Sequence, residues 1–218
     1  MHNMGLKHLI LAAPQCALNE ESYRMARAGG SILDSAKTFR SLKGALRGFR
    51  LLAGTTGKRG GYREGACSLR SLVPRILDHA ARQKIGILFG PEDTGLVDDD
   101  LRLCQLLIRI PTQRLATSLN LAQAVMLVAY ELFLGSLERE PARAPRLAPL
   151  EQVEAMYMQL ERALLKIGFL QPQNARHMMF VLRRMLGRAG LEASDVGVLR
   201  GIARQIEWYA QGGGRRSE

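Results

Sequence analysis

Four short, largely apolar runs limit most strongly what this chain can fold into. They are Leu9 to Ala13, Phe49 to Ala53, Ile85 to Phe89 and Leu106 to Ile110, the last three stopped by Gly54, Gly90-Pro91 and Pro111. Runs of that length flanked by glycine and proline are strands, and near-continuous apolar strands need cover on both faces. Between them lie stretches with helical spacing: Glu20 to Ala28 ending at Gly29-Gly30, about Ser71 to Arg82, and a short turn opened by Asp98-Asp99-Asp100. Three carboxylates suit the positive end of a helix dipole. Strands alternating with helices predict an α/β fold, with a parallel sheet flanked by helices.

Helical patterns dominate the rest. Ser118 is placed to cap a long helix from Leu119 to about Leu137. Three of the chain's eight prolines, Pro141, Pro145 and Pro149, then fall within ten residues. Proline at that density breaks helices and stiffens a connection, so 139–149 is expected to be a linker. Beyond it Glu151 to Lys166, Asn174 to Arg188 and Ser194 to Ala210 have amphipathic spacing, with Gly168 and Gly190 where C-terminal caps belong. The expected layout is therefore an α/β domain over 1–138, the linker, a small all-α domain over 150–211 and a glycine-rich tail, 212–218, too polar to order. Trp208 and Tyr209 are expected to pack within the helical domain rather than to stack on bases.

Composition excludes several classes. At 47% hydrophobic residues the chain can bury a core, which rules out disorder as its main state. Cys16, Cys67 and Cys104 form no Cys-x-x-C, and His2, His8, His79 and His177 stand at no metal-ligand spacing with them. A reducing, cytoplasmic setting without structural zinc is expected. The run at Leu9 is shorter than a signal-peptide core of roughly 7–15 residues. No stretch reaches the ~20 apolar residues of a membrane span. The formal charge is +11, and residues 37 to 84 hold twelve lysines and arginines against Glu64 and Asp78, a local excess of 12 − 2 = 10. Charge segregated in this way favours a polyanion, nucleic acid before membrane. Lys58, Arg59 and Arg63 fall on a glycine-rich loop just after a strand, where open α/β sheets collect ligands, and are the candidate nucleic-acid contacts. No helix-turn-helix or zinc pattern points to DNA. No dinucleotide or Walker glycine spacing points to NAD or ATP.

Three loops meet at the C-terminal edge of such a sheet: Gly54-Thr55-Thr56-Gly57, Gly90-Pro91-Glu92-Asp93-Thr94-Gly95-Leu96, and Ile110-Pro111 running to Ser118-Leu119-Asn120. Singly, each reads as a turn. In this order, followed by Leu121-Ala122-Gln123-Ala124-Val125 and Tyr130-Glu131, they resemble the SPOUT superfamily of RNA ribose methyltransferases, and within it the tRNA/rRNA 2′-O-methyltransferase group with a C-terminal helical extension. A looser likeness continues through Leu182 to Ala189 and Leu199 to Ile202.

The resemblance implies a trefoil-knotted sheet, a homodimer, and S-adenosylmethionine bound within the knot. By position it assigns Gly54, Thr55, Gly90, Ile110, Ser118 and Leu119 to the cofactor, and Glu92, Ser118 and Asn120 to the polar active site. It implies RNA, in the first place tRNA, as substrate. Two departures accompany it. Pro91 stands where relatives often carry arginine. The family's Asn-x-Gly-x-x-x-Arg motif, with its strand, helix and arginine, would precede the segment that Met1-His2-Asn3-Met4-Gly5-Leu6 matches, which makes turnover by this chain as given doubtful. The implied function is ribose 2′-O-methylation; the alternative is a catalytically impaired RNA-binding dimer that keeps the cofactor pocket.

Overall fold

The computed structural model describes residues 1–113, 118–138 and 146–212. In chain order the elements are β1 (Ile10–Ala12), α1 (Glu20–Ala26), α2 (Gly30–Asp34), β2 (Lys37–Phe39), α3 (Leu42–Ala45), β3 (Leu51–Thr55), β4 (Cys67–Ser68), α4 (Leu69–Ala80) and β5 (Ile85–Leu88). They continue with α5 (Asp98–Leu101), β6 (Leu106–Arg109), α6 (Leu121–Leu137), α7 (Leu150–Lys166), α8 (Ala175–Ala189) and α9 (Ala193–Ala210). The main sheet is wholly parallel in the order β4-β6-β3-β5, with Leu51 opposite Ile85, Ala53 opposite Leu106 and Cys67 opposite Ile108. The α/β architecture with a C-terminal helical region is the one the sequence predicts.

Alternation along β3 divides the core. Leu51 and Ala53 face a cluster completed by Leu106 and Ile108 of β6, Leu69, Leu72, Val73 and Ile76 of α4, and Val128 and Leu132 of α6. Leu52 points the other way, to Phe49 and Leu150, and Leu107 meets Leu96 and Leu101. The α4 residues recur at i, i+3, i+4 and i+7, the stripe a helix must bury. That helix begins at Leu69, earlier than the expected start near Ser71, and the Ser68 hydroxyl caps it by accepting from Ser71 N. Gly135 of α6 lies so close to α4 that a Cβ would sit 2.4 Å from Val73 Cγ1.

Several expectations are corrected. The Leu9 run joins a separate two-stranded parallel sheet with Lys37–Phe39, outside the main sheet. Its partner is three residues long and starts with lysine, so no apolar run marks it. The two-residue β4 is equally invisible, being defined by pairing to Ile108 and Arg109. Gly29-Gly30 does not end the first helical stretch: a 3-10 turn, Arg27–Gly29, passes into α2. The cap of α6 is Asn120, whose side chain accepts from Ala122 N, and not Ser118, so the helix starts at Leu121. Trp208 and Tyr209 are 48% and 60% exposed and pack edge-on against each other rather than into the bundle.

Helices α7, α8 and α9 enclose a second core of Val153, Met156, Tyr157, Met179 and Val196. Of the expected linker, 139–145 lies outside the described residues. Leu147 and Ala148 are 3% and 1% exposed. Leu147 N donates to Gln83 Oε1, Ala148 N to the Leu191 carbonyl, and Arg50 Nη1 to the Leu147 carbonyl. Glu151 at the start of α7 accepts from Gly48 N at 2.7 Å, and that bond holds its carboxyl below the usual range. From α4, Arg75 donates to the carbonyls of Gly187 and Arg188 at the end of α8, where a cation complements the helix dipole. The expected tail beyond Gly212 lies outside the described residues.

His79 of α4 is 4% exposed, and its Nδ1 lies 2.7 Å from Gln83 Nε2. Donation by that amide requires a neutral ring. Burial, and then the charge of Arg75, lower its pKa from the ordinary 6.5. The unfolded chain therefore takes up the proton first as pH falls. This contribution to stability is intact above about pH 6.5 and declines on acidification towards the lowered folded value, by at most about 1.4 kcal/mol per pH unit. Urea unfolding between pH 7.5 and 5.5 is expected to show that loss, and a His79→Leu variant to lose less of its own stability over the same interval.

Candidate active site

The ends of β3, β5 and β6 open into one cleft of about 270 Å³. Its floor begins at Thr55, whose hydroxyl donates to the Leu88 carbonyl at 2.9 Å and so ties β3 to β5. Thr56 N donates to the Ile108 carbonyl and continues the tie to β6. One wall is the turn from Gly90 to Leu96; the other is Ile110, Ser118, Leu119, Leu121 and Ala124.

The 90–96 turn is possible because of its glycines. Gly95 N closes it on the Pro91 carbonyl at 2.8 Å, and Gly95 takes a left-handed φ of 67°. A Cβ on Gly90 would lie 2.1 Å from the Gly95 carbonyl carbon and 2.2 Å from Leu96 N. That leaves backbone folded on backbone, with peptide groups presented to the cleft. Gly54 is placed differently: it is buried, and a Cβ there would meet Cys104 Sγ at 2.8 Å and Leu96 Cδ1 at 3.2 Å. It lets the wall close behind the cleft. Burial pushes the Cys104 thiol up, so it stays protonated.

At the rim Asn120 works in two directions. Its Oδ1 accepts from Ala122 N at 2.9 Å, and its Nδ2 donates to Glu92 Oε1 at 3.3 Å. Capping α6 thus fixes the amide, and the amide holds the carboxylate of the opposite wall. Ser118 and Leu119 line the cleft just before it. The structure therefore gathers Thr55, Gly90, Glu92, Ile110, Ser118, Leu119 and Asn120 at one place, and sets Gly54 behind it.

The basic loop borders the same cleft. Lys58 Nζ donates to the Thr94 carbonyl at 3.0 Å. Arg63 is half-buried and committed, pairing with Asp98 at 2.9 Å and donating to the Leu96 carbonyl at 3.2 Å. Arg59 is exposed on the loop between them. Other cations of the 37–84 segment are also engaged. Arg70 forks onto Glu131, holding that carboxyl below its usual range, and Lys84 lies 4.1 Å from the Phe49 ring centroid. Sequence reasoning missed these structural duties because charge counts carry no information about partners. Among the described residues no three His, Cys, Asp or Glu side chains cluster as metal ligands.

The cleft stands at the carboxyl edge of a parallel sheet, walled by three loops without a phosphate-binding glycine pattern and followed by a capped helix, and the matches to known proteins put that architecture among the SpoU-type methylases. The chain belongs to the SpoU rRNA methylase family, whose model matches residues 1–130. Residues 151–216 match a second model, described as the C-terminal domain of the tRNA methyltransferase TrmJ. The chain is 31% identical to the tRNA (cytidine/uridine/adenosine-2′-O-)-methyltransferase TrmJ of Pseudomonas aeruginosa, over 97% of this chain and 88% of that protein. It is 32% identical to the tRNA (cytidine/uridine-2′-O-)-methyltransferase TrmJ of Pectobacterium atrosepticum, over 95% and 88%. The crystal structure of TrmJ from Z. mobilis superposes with a TM-score of 0.77 at 31% identity, covering 95% of this chain and 90% of that one. The expected methylase family and its sheet architecture agree with these matches.

The turn's dependence on glycine is testable. Gly90→Ala is expected to cost about 1–3 kcal/mol of unfolding free energy in urea titrations. Gly30→Ala, where an added Cβ meets nothing within 4 Å, is expected to be neutral or slightly stabilising.

Proposed function

We propose that this protein is an S-adenosylmethionine-dependent tRNA ribose 2′-O-methyltransferase. The observation that carries the reading is the Asn120–Glu92 hydrogen bond across the mouth of a cleft with both apolar and polar lining, in a chain similar to tRNA 2′-O-methyltransferases over nearly its whole length.

The cleft fits the cofactor's chemistry. Leu96, Ile110, Leu119 and Leu121 offer apolar contact to a flat base and a thioether chain. The backbone of the 90–96 turn, brought close by Gly90, offers hydrogen-bonding groups at the edge. Glu92 and Asp93 place carboxylates near a cation. When bound, the cofactor supplies an electrophilic methyl group on a sulfonium. This chain's residues then have to position a ribose hydroxyl in line and assist loss of its proton. Thr55, Gly90, Ile110, Ser118 and Leu119 hold the donor, and buried Gly54 closes the wall behind it. Asn120 fixes Glu92 at the rim, Glu92 orients the incoming hydroxyl, and the Ser118 hydroxyl completes the polar edge. Lys58 and Arg59 meet RNA phosphates, and Arg63 holds their loop.

The reading includes the trefoil knot expected around Ser118, supported by the likeness to the SpoU methylase family; residues 114–117 lie outside the described residues. It keeps the division into 1–138, 139–149 and 150–211, supported by the two separate cores. A cytoplasmic setting is supported by three free thiols, and among the described residues no helix is long and apolar enough to cross a membrane. A homodimer is supported by α6. Met126, Tyr130, Phe133 and Leu137 recur on one face, opposite the buried Val128, Ala129 and Leu132, and Met126, Tyr130 and Leu137 are 46%, 44% and 67% exposed.

Methyl transfer from labelled cofactor to bulk tRNA, read by mass spectrometry of the ribose, tests the function. Asn120→Ala is expected to lower kcat/KM by about a hundredfold, since it frees both the helix cap and Glu92. Cofactor uptake in calorimetry with no methylated ribose would instead favour the RNA-binding dimer without turnover. Light scattering is expected to give about twice the 24.1 kDa chain mass, and Met126→Glu with Tyr130→Glu to give the monomer.

A further inference from the structure

The loop 57–66 is poor in intrinsic order. Gly57, Gly60, Gly61 and Gly65 lie within it, and Gly60, Gly61 and Gly65 have φ of 82°, 54° and 87°. Such a segment is held by its contacts rather than by its own preferences. On its inner side Lys58 and Arg63 reach the carbonyls of Thr94 and Leu96, in the wall of the cleft. Arg109 Nη2 of β6 donates to the Arg63 carbonyl at 3.3 Å.

On its outer side the loop meets α8. The Tyr62 ring stands edge-on to Phe180 with centroids 4.1 Å apart and planes at 89°. Arg184 donates to the Glu64 carbonyl and lies against Gly65, where a Cβ would stand 3.4 Å from its Cζ. Arg176 reaches Asp99 Oδ1 at 2.7 Å, beside the Asp98 that pairs with Arg63. The helix is itself fastened to the sheet domain through Arg75 and by the packing of Gly187 over Gln105.

Building on the cofactor assignment above, we propose that α8 is a positioning element of the cofactor cleft. Through Tyr62–Phe180 and Arg184–Glu64 it splints the loop whose inner side braces the 90–96 wall. The second core then bears on the cleft as well: seating or shifting α8 changes how firmly the donor is held. Tyr62, Phe180 and Arg184 are positioning residues.

The test uses the full chain with Tyr62→Ala plus Arg184→Ala, and Tyr62→Phe as the conservative variant; Phe180 is left in place because it is buried. Hydrogen exchange of amides 57–66 is expected to accelerate about tenfold in the double variant. Cofactor dissociation constants from calorimetry are expected to rise about fivefold or more in the double variant, with Tyr62→Phe near wild type in affinity and in melting temperature. Unaltered loop exchange, or a mobile loop with cofactor affinity within about twofold of wild type, overturns the splint. Wild-type protein that takes up no cofactor would instead overturn the assignment on which the proposal rests.

Discussion

The central strand β3 is the constraint on which the rest of this molecule depends. Leu51, Leu52 and Ala53 are no more than 1% exposed, and the strand is paired on both edges by β5 and β6. A strand so enclosed cannot slip, because a shift of one residue would exchange Leu52 with its neighbours on opposite faces. Its end is therefore a fixed point. Thr55 and Thr56 transfer that fixity to β5 and β6 by two hydrogen bonds, and the three loops of the cleft start within a few residues of them.

From that point the site is built by backbone proximity more than by side chains. Gly90 allows the turn to fold onto itself, Gly54 allows Cys104 and Leu96 to close behind, and Asn120 links the start of α6 to Glu92. The helical domain joins the same frame. Leu150 packs with Leu52, Arg75 engages the end of α8, and α8 lies on the basic loop. Two cores, one on each side of a proline-bearing connection, thus share an interface made of directed hydrogen bonds as well as apolar contact.

The positive charge has a more divided role than its clustering indicates. Arg50, Arg63, Arg70, Arg75 and Lys84 hold the fold together by meeting carbonyls, carboxylates and an aromatic face. Lys58 does both, being anchored at Thr94 yet exposed at the mouth. Burial explains the division: a guanidinium drawn into a half-buried place must find acceptors, and backbone carbonyls at helix and strand ends supply them.

By itself the sequence determined the strands β3, β5 and β6, the helices α4 to α9 within a few residues, and the order of the three loops that converge on the cleft. Apolar runs, helical spacing and glycine or proline stops are local signals, and in this chain they agree with the global fold. Only the tertiary structure decided that Ile10–Ala12 leaves the main sheet for Lys37–Phe39, that Cys67–Ser68 is a strand, that Gly54 sits behind the cleft while Gly90 lines it, and that Arg63 is a brace. Each of these depends on a partner far along the chain. Pairing, close approach and ion pairing are properties of two segments at once, which the residues of either segment alone do not encode.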